Sequence, residues 1–169
     1  MLKQFYPNNE TDSIYEINFR LLYEQGYRGI IFDIDNTLVP HGAPADDKVK
    51  LFFEELRSLG FKTMLLSNNK EPRVKSFAQE VHSDYIFKGN KPAKSGYEKS
   101  MQKMGTLKEN TIFVGDQLFT DIWGAKKTGI NTYLVKPIHP KEEIQIVLKR
   151  RLERVVLYFY HKNGGKNDI

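Results

Sequence analysis

Asp33 and Asp35 stand at spacing i, i+2 at the end of the apolar run Gly29-Ile30-Ile31-Phe32, in the string Asp33-Ile34-Asp35-Asn36-Thr37-Leu38. On a regular strand both carboxylates would share one face and repel, unless a cation or a change of chain direction relieves them. The stretch from Asn36 to Gly42, with Pro40 and Gly42, supplies the residues for such a turn. A carboxylate beside a metal ion is a nucleophile towards phosphorus. A second one, turned the other way, can protonate the leaving group. The plainer alternative is a solvated pair of turn aspartates.

Three more polar clusters follow apolar runs. Ser67-Asn68-Asn69 comes directly after Met64-Leu65-Leu66, and its hydroxyl and amide donors suit a phosphate oxygen, although such side chains also cap turns. In Lys88-Gly89-Asn90-Lys91-Pro92-Ala93-Lys94 a lysine could hold nucleophile and transferring phosphoryl together. Lys91 is preferred to Lys94, because Pro92 stiffens the turn beside it. His41 reads as an exposed turn residue, with contact to a leaving group as the alternative. The fourth cluster, Gly115-Asp116-Gln117-Leu118-Phe119-Thr120-Asp121, follows the apolar stretch 111–114. Asp116 is placed to complete a metal site with Asp33 and a carbonyl at Asp35. An all-oxygen set of this kind suits Mg2+. Asp121 either orients Lys91 or a metal-bound water, or is a helix N-terminal aspartate favoured by the macrodipole. The cations are needed because an anionic nucleophile meets a phosphate with repulsion of about 4 kcal/mol per charge pair at ~4 Å and an effective dielectric of ~20.

The elements that must carry these clusters alternate. Ile14, Ile17 and Leu21 recur at helical spacing behind Thr11, Asp12 and Ser13, so one lead-in helix is expected up to Gly26. The strands expected are 29–32, 63–66, 84–87, 111–114 and 131–135. Helices between them are marked by Val49, Phe52, Leu56 and Leu59; by Val74, Phe77 and Val81 after Pro72; by Tyr97, Met101 and Met104; and by 120–128, where Gly124-Ala125 signals close packing. The Met and aromatic stripe is core packing rather than a cofactor box. Apolar strands joined by helices give an α/β fold: a three-layer α/β/α sandwich with a central, mainly parallel five-stranded sheet, whose ligands bind beyond the carboxyl ends of the strands.

The chain of 169 residues is the size of one domain. Within it, 1–27 forms a helical lead-in, 28–136 the motif-bearing core, 137–162 a basic amphipathic helix and 163–169 a disordered tail. The absence of cysteine removes disulfides, zinc-thiolate sites and thiol nucleophiles, and fits a reducing compartment. No run is long and apolar enough for a transmembrane segment, and the first residues lack the apolar centre of a secretory signal. A cytoplasmic protein is therefore expected. The formal charge of +5 favours anionic partners.

In order, Asp33-Ile34-Asp35-Asn36-Thr37-Leu38, Ser67, Lys91 and Gly115-Asp116 through Asp121 resemble the four motifs of the haloacid dehalogenase superfamily of phosphohydrolases, over about 29–135. The resemblance implies Asp33 as phosphoaspartate-forming nucleophile, Asp35 as general acid and base, and Mg2+ as cofactor. It also implies supporting or phosphate-binding places for Thr37, Asn68, Gly115 and Asp121. An aspartate at position 35 argues against the dehalogenase and ion-pump branches. The intervals between Asp35 and Ser67 and between Ser67 and Lys91 are too short for a cap domain. The chain thus looks like capless subfamily IIIA, in the group of small bacterial proteins similar to mitochondrial phosphatidylglycerophosphate phosphatase. An open site accepts a phosphomonoester held in something large, such as a phospholipid headgroup.

Ile144, Leu148, Leu152, Val155 and Phe159 follow helical spacing, with Lys149, Arg150, Arg151 and Arg154 as a basic edge. This segment either packs on the sheet or makes peripheral contact with an anionic membrane. The rival function is a non-catalytic binding protein that recognises RNA or a ribosomal partner through Lys70, Arg73, Lys75, Lys88 and Lys94. No aromatic-rich RNA-binding motif supports it, so nucleic acid is not the expected partner. An oligomer is compatible with the composition.

Overall fold

A computed structural model of the chain describes residues 2–138 and 144–165, with the side chains of 144–147 left out of the description. Six strands form one sheet: β1 (Asn9–Thr11), β2 (Gly29–Phe32), β3 (Lys62–Leu66), β4 (Asp84–Ile86), β5 (Thr111–Gly115) and β6 (Asn131–Val135), in spatial order β1-β6-β5-β2-β3-β4. Every pairing is parallel. The expected α/β class holds, with six strands instead of five. The extra strand, β1, is polar and lies on the edge beside β6, with Asn9 opposite Tyr133. It is held partly by side chains, the Asn9 amide donating to Asn131 Oδ1 at 3.1 Å.

Alternation of side chains along β2 divides the core between two faces. Ile30 and Phe32 pack with Phe19 of α1 (Phe19–Glu24), with Phe52, Phe53 and Leu56 of α2 (Asp47–Leu59) and with Phe77 of α3 (Glu71–Val81). Ile31 faces the other way, into a cluster with Tyr97 and Met104 of α4 (Lys94–Met104) and Ala125 of α5 (Trp123–Lys127). All four residues of β2 are buried, as a central strand covered on both faces requires. Helix α2 starts where Asp46 accepts the Val49 N–H at 2.8 Å and stops at Gly60, whose φ of 105° few other residues adopt.

Two helices differ from expectation. The lead-in is broken: Ser13 caps a short 3-10 turn over Ile14–Glu16, Ile17 is extended, and Asn18 starts α1 by accepting the Leu21 N–H. Each cap side chain competes with helix continuation. The helix expected over 120–128 is instead a wide π-type turn, Leu118–Ile122, running into α5. The close approach expected at Gly124 is present, since a Cβ there would collide with the Tyr97 ring.

The last helix, α6, spans Ile144–Lys162. Of the helix expected over 137–162, Pro137 and Ile138 are not helical and 139–143 lies outside the described residues. So do 166–169 of the expected tail, whereas 163–165 form a turn in which the Gly165 N–H donates to the Tyr160 carbonyl at 3.1 Å. Between β2 and β3 the chain holds α2 and its loops, and between β3 and Lys91 it holds α3, β4 and their loops. No further domain is inserted there.

Candidate active site

The strand order reverses between β2 and β5, and the carboxyl ends of such neighbours leave a crevice. Asp33 leaves β2 at that point, its N–H still donating to the Val114 carbonyl at 3.0 Å. The chain then tightens. Thr37 and Leu38 N–H groups donate to the Ile34 carbonyl, Asn36 takes a φ of 62°, and its N–H donates to the Val39 carbonyl at 2.8 Å. This turn separates the two aspartates. The Asp35 carboxylate is held by the Gly42 N–H at 2.8 Å and by Arg73 of α3 at 2.9 Å. Burial favours its neutral form, but the Gly42 hydrogen bond and the Arg73 guanidinium outweigh burial and keep the carboxyl below its ordinary range.

Lys91 arrives from the loop after β4. The Asn68 side chain clamps its backbone from both sides, accepting the Lys91 N–H at 2.7 Å and donating to the Lys91 carbonyl at 3.1 Å. The buried Lys91 ammonium is thereby fixed between Asp33 Oδ1 at 2.7 Å and Asp121 Oδ1 at 2.6 Å. Burial opposes this charge, yet Asp121 and Asp33 hold the ammonium above its usual range. Lys94 is exposed at the start of α4. Ser67 is buried at the end of β3, where its hydroxyl accepts the Asn69 N–H at 3.1 Å, the cap arrangement weighed from the sequence.

The π-type turn after β5 carries the other acids. Asp121 Oδ2 accepts the N–H groups of Asp116 at 3.2 Å and Gln117 at 3.1 Å, while its Oδ1 holds Lys91. Gly115 permits this: a Cβ there would lie 2.7 Å from the Asp121 carboxyl carbon. Tyr97 secures the same turn by donating to the Thr120 carbonyl at 2.8 Å. Thr37 Oγ1 lies between Asp33 Oδ2 at 3.3 Å and Asp116 Oδ1 at 3.1 Å. Asp116 Oδ2 and the Asp116 carbonyl are both engaged by Arg150 of α6. Glu153, one turn further along α6, accepts the Phe119 N–H at 3.3 Å.

Asp33, Asp116 and Asp121 bring carboxylate oxygens within 4.8 Å of one another, all buried. Burial, then Asp121, pushes the Asp33 carboxyl well above its ordinary range, with Lys91 pulling against them. The same two causes push Asp116 up to about 7, with Arg150 opposing. Three carboxylates face the two cations Lys91 and Arg150, so the fully ionised cluster carries excess negative charge. A buried, all-oxygen donor set with excess negative charge fits a hard divalent cation.

Of the residues singled out in the sequence, Asp33, Thr37, Lys91, Asp116 and Asp121 meet in one network, with Asn68 and Gly115 shaping it. The Asp35 carboxylate lies outside the acidic cluster, and His41 is exposed. In the sequence Arg150 reads as part of a basic edge, and Arg73 as one cation of the rival binding surface. The sequence did hold a signal for Arg150: it shares a helix face with Glu153 and Leu157, at i+3 and i+7.

Residues 41–129 match the family described as haloacid dehalogenase-like hydrolase; that stretch contains Ser67, Lys91, Asp116 and Asp121 and begins after Asp35. The chain is 34% identical over 166 residues to the "Probable phosphatase YqeG" of Bacillus subtilis (strain 168), covering 97% of this chain and 96% of that protein. It is 27% identical over 172 residues to "Phosphatidylglycerophosphate phosphatase 1, chloroplastic/mitochondrial" of Arabidopsis thaliana, covering 95% of this chain and 49% of that protein, about half its length. A haloacid dehalogenase family hydrolase from Deinococcus radiodurans, solved with phosphate and sodium, shares the fold with a TM-score of 0.56 at 14% identity, over 73% of this chain and 87% of that one. The cobalt-bound deoxy-D-mannose-octulosonate 8-phosphate phosphatase of Haemophilus influenzae does so with a TM-score of 0.51 at 13% identity, over 82% and 90% of the two chains.

Proposed function

The chain belongs to the haloacid dehalogenase-like hydrolases, and on that footing we propose that it is a magnesium-dependent phosphomonoester hydrolase working through a phosphoaspartate on Asp33. Its substrate is phosphatidylglycerophosphate or another phosphomonoester held in a large or membrane-embedded molecule. The observation that carries this reading is the fixed contact of Lys91 with both Asp33 and Asp121, beside Asp116, at the carboxyl ends of β2 and β5.

Asp33 and Asp116, with the Asp35 carbonyl, would hold the cation, which when bound would withdraw charge from the phosphoryl oxygens. Lys91 draws the phosphate towards Asp33 and offsets its charge. An Asp33 carboxylate oxygen attacks phosphorus, an O–P bond forms, and the bond from phosphorus to the leaving oxygen breaks. In its protonated form, the minor one in the free protein because Gly42 and Arg73 favour the carboxylate, the Asp35 carboxyl gives its proton to that oxygen. Asp35, now ionised, takes a proton from water, which attacks the acyl phosphate and releases inorganic phosphate and the free Asp33 carboxylate. The Arg73 contact favours the ionised form of Asp35, the form needed for the second half. Ser67, Asn68 and Thr37 supply hydrogen bonds at the phosphate end, and Asp121 orients Lys91.

Support for a large substrate comes from the lack of an inserted domain between β2 and Lys91, which fits the capless subfamily, and from the name of the Arabidopsis relative. One domain, acting at the cytoplasmic face of a membrane, is the organisation in keeping with both. No helix among the described residues is long and apolar enough to cross a membrane.

The test is phosphate release with Mg2+ from a panel of phospholipid monoesters, sugar phosphates, nucleotides and phosphopeptides. Hydrolysis that Asp33→Asn lowers by about 10³-fold or more, with the fold intact, is expected. Unchanged hydrolysis in that variant overturns the assignment of Asp33. Preference for soluble monoesters over phospholipids overturns the substrate reading.

A further inference from the structure

The outer face of α6 carries a stripe that none of the described residues covers. Leu148, Leu152, Val155 and Phe159, at spacing i, i+4, i+7, i+11, are 55%, 62%, 52% and 40% exposed, while Glu153, Val156 and Tyr160 on the opposite face are buried. Four large apolar side chains in one line form a contiguous exposed patch rather than scattered surface residues. We propose that this face of α6 is a docking surface for an anionic lipid bilayer, with the helix lying in the headgroup plane.

Charge selects the bilayer over other occupants. Lys149, Arg151, Arg154 and Lys162 are exposed around the stripe, and Glu153, the only acidic residue between Ile144 and Lys162, is buried beneath it. The exposed face is therefore apolar and basic, with no acidic residue among its described side chains, the pattern of a helix resting on acidic headgroups. A second copy of the chain is the poorer partner. Pairing two such stripes would oppose Arg151, Arg154 and Lys162 to the same basic set, with no carboxylate to offset them. The helix has no stretch apolar enough to cross the bilayer, so it lies on the surface.

The docking face is tied to the reaction centre. Arg150 of the same helix grips Asp116, and Glu153 holds the Phe119 N–H. Between α6 and the end of β6 lies a cavity of about 460 Å³, floored by Leu118 and Leu134, rimmed by Lys136, Arg151 and Arg154, and reaching Asp116. A docked α6 would thus hold the acidic cluster across a single helix from the headgroups. The proposal builds on the lipid-monoester reading given above, but its evidence is the helix face itself.

Flotation of the full chain with vesicles tests it. With equal parts phosphatidylglycerol and phosphatidylcholine the protein floats at low salt and is released as salt rises; with phosphatidylcholine alone it stays in the soluble fraction. The double substitutions Leu152→Glu with Val155→Glu, and Arg151→Glu with Arg154→Glu, each lower vesicle binding at least tenfold. Both variants retain the circular dichroism spectrum and the hydrolysis of p-nitrophenyl phosphate. Wild-type protein that stays soluble with the anionic vesicles overturns the docking, as does a wild-type dimer that the Leu152→Glu, Val155→Glu variant converts to monomer. Vesicle binding without phosphate release from an embedded phospholipid monoester supports the docking and removes the lipid substrate. Wild-type protein that hydrolyses p-nitrophenyl phosphate yet does not float with the anionic vesicles removes the docking and leaves the phosphatase.

Discussion

Lys91 Nζ lies 2.7 Å from Asp33 Oδ1, two oppositely charged groups that the chain brings together across 58 positions and then buries. The lysine is not a loose counter-ion. Asn68 fixes its backbone and Asp121 its ammonium, so the Asp33 carboxylate is held in one orientation before substrate arrives. Such preorganisation lowers the cost of reaching the in-line geometry of phosphoryl transfer.

Replacing Lys91 by methionine leaves Asp33 and Asp121 buried without their shared cation. Breaking a buried ion pair from one side costs about 3–5 kcal/mol. Urea unfolding of Lys91→Met is expected to show a loss of that size, with phosphatase activity abolished. A loss under about 1 kcal/mol would mean that the cluster relaxes and that the contact is weaker than its geometry implies.

Gly115→Ala tests the packing behind the site. The new Cβ would lie 2.7 Å from the Asp121 carboxyl carbon, so the acidic turn must shift, at about 1–3 kcal/mol for overpacking. Because Asp121 holds Lys91, kcat is expected to fall more than tenfold, and urea unfolding reports the stability loss. Full activity would show that the turn moves without disturbing Lys91.

The metal-free protein has a predictable response to pH. Asp116 is pushed up from 3.8 to about 7 by burial and Asp121. A raised carboxyl stabilises the folded state below the unfolded value of about 3.8, and this advantage disappears as pH rises to about 7. Thermal unfolding in chelator should therefore show this contribution declining between those limits. Added Mg2+ should restore stability above pH 7, where the carboxylate is ionised. Asp116→Asn removes both effects. A chelated protein whose pH dependence is identical in wild type and Asp116→Asn would overturn the account.

Arg73→Met tests the environment of Asp35. Arg73 helps to keep that carboxyl below its ordinary range, so its removal raises it. If the second half of the reaction limits turnover, the ionised form of Asp35 is required. The acid limb of the kcat profile then moves to higher pH, while Arg73→Lys, which retains the charge, moves it less. An unmoved limb would separate Arg73 from the proton transfer.

The legibility of this chain followed burial. Strands β2, β3, β5 and β6 are mostly apolar runs ending in Gly, Ser, Asp or Lys, so both their places and the clusters at their ends could be read directly. β1 could not, because Asn9-Glu10-Thr11 has no apolar pattern and is held at an edge by backbone pairing and Asn9 amide contacts with β6. The lead-in segment reads as one helix because spacing registers Ile14, Ile17 and Leu21 but not the competing caps Ser13 and Asn18. Within the site, short-range reading placed the acids and Lys91. It did not reveal that Asp35 turns to Arg73, or that Arg150 reaches Asp116 from 34 positions away. Both are tertiary contacts of guanidinium groups, whose length lets them serve solvent or a distant carboxylate equally well.

The Arg150 contact also fixes an order of events during synthesis. The six strands and every acidic residue of the cluster precede residue 136, so they leave the ribosome before α6 exists. Until Arg150 emerges, Asp116 lacks the guanidinium partner that helps keep it ionised, and the cavity beside it has no outer wall. A nascent chain therefore carries the acidic cluster some time before it carries the arginine that partners Asp116.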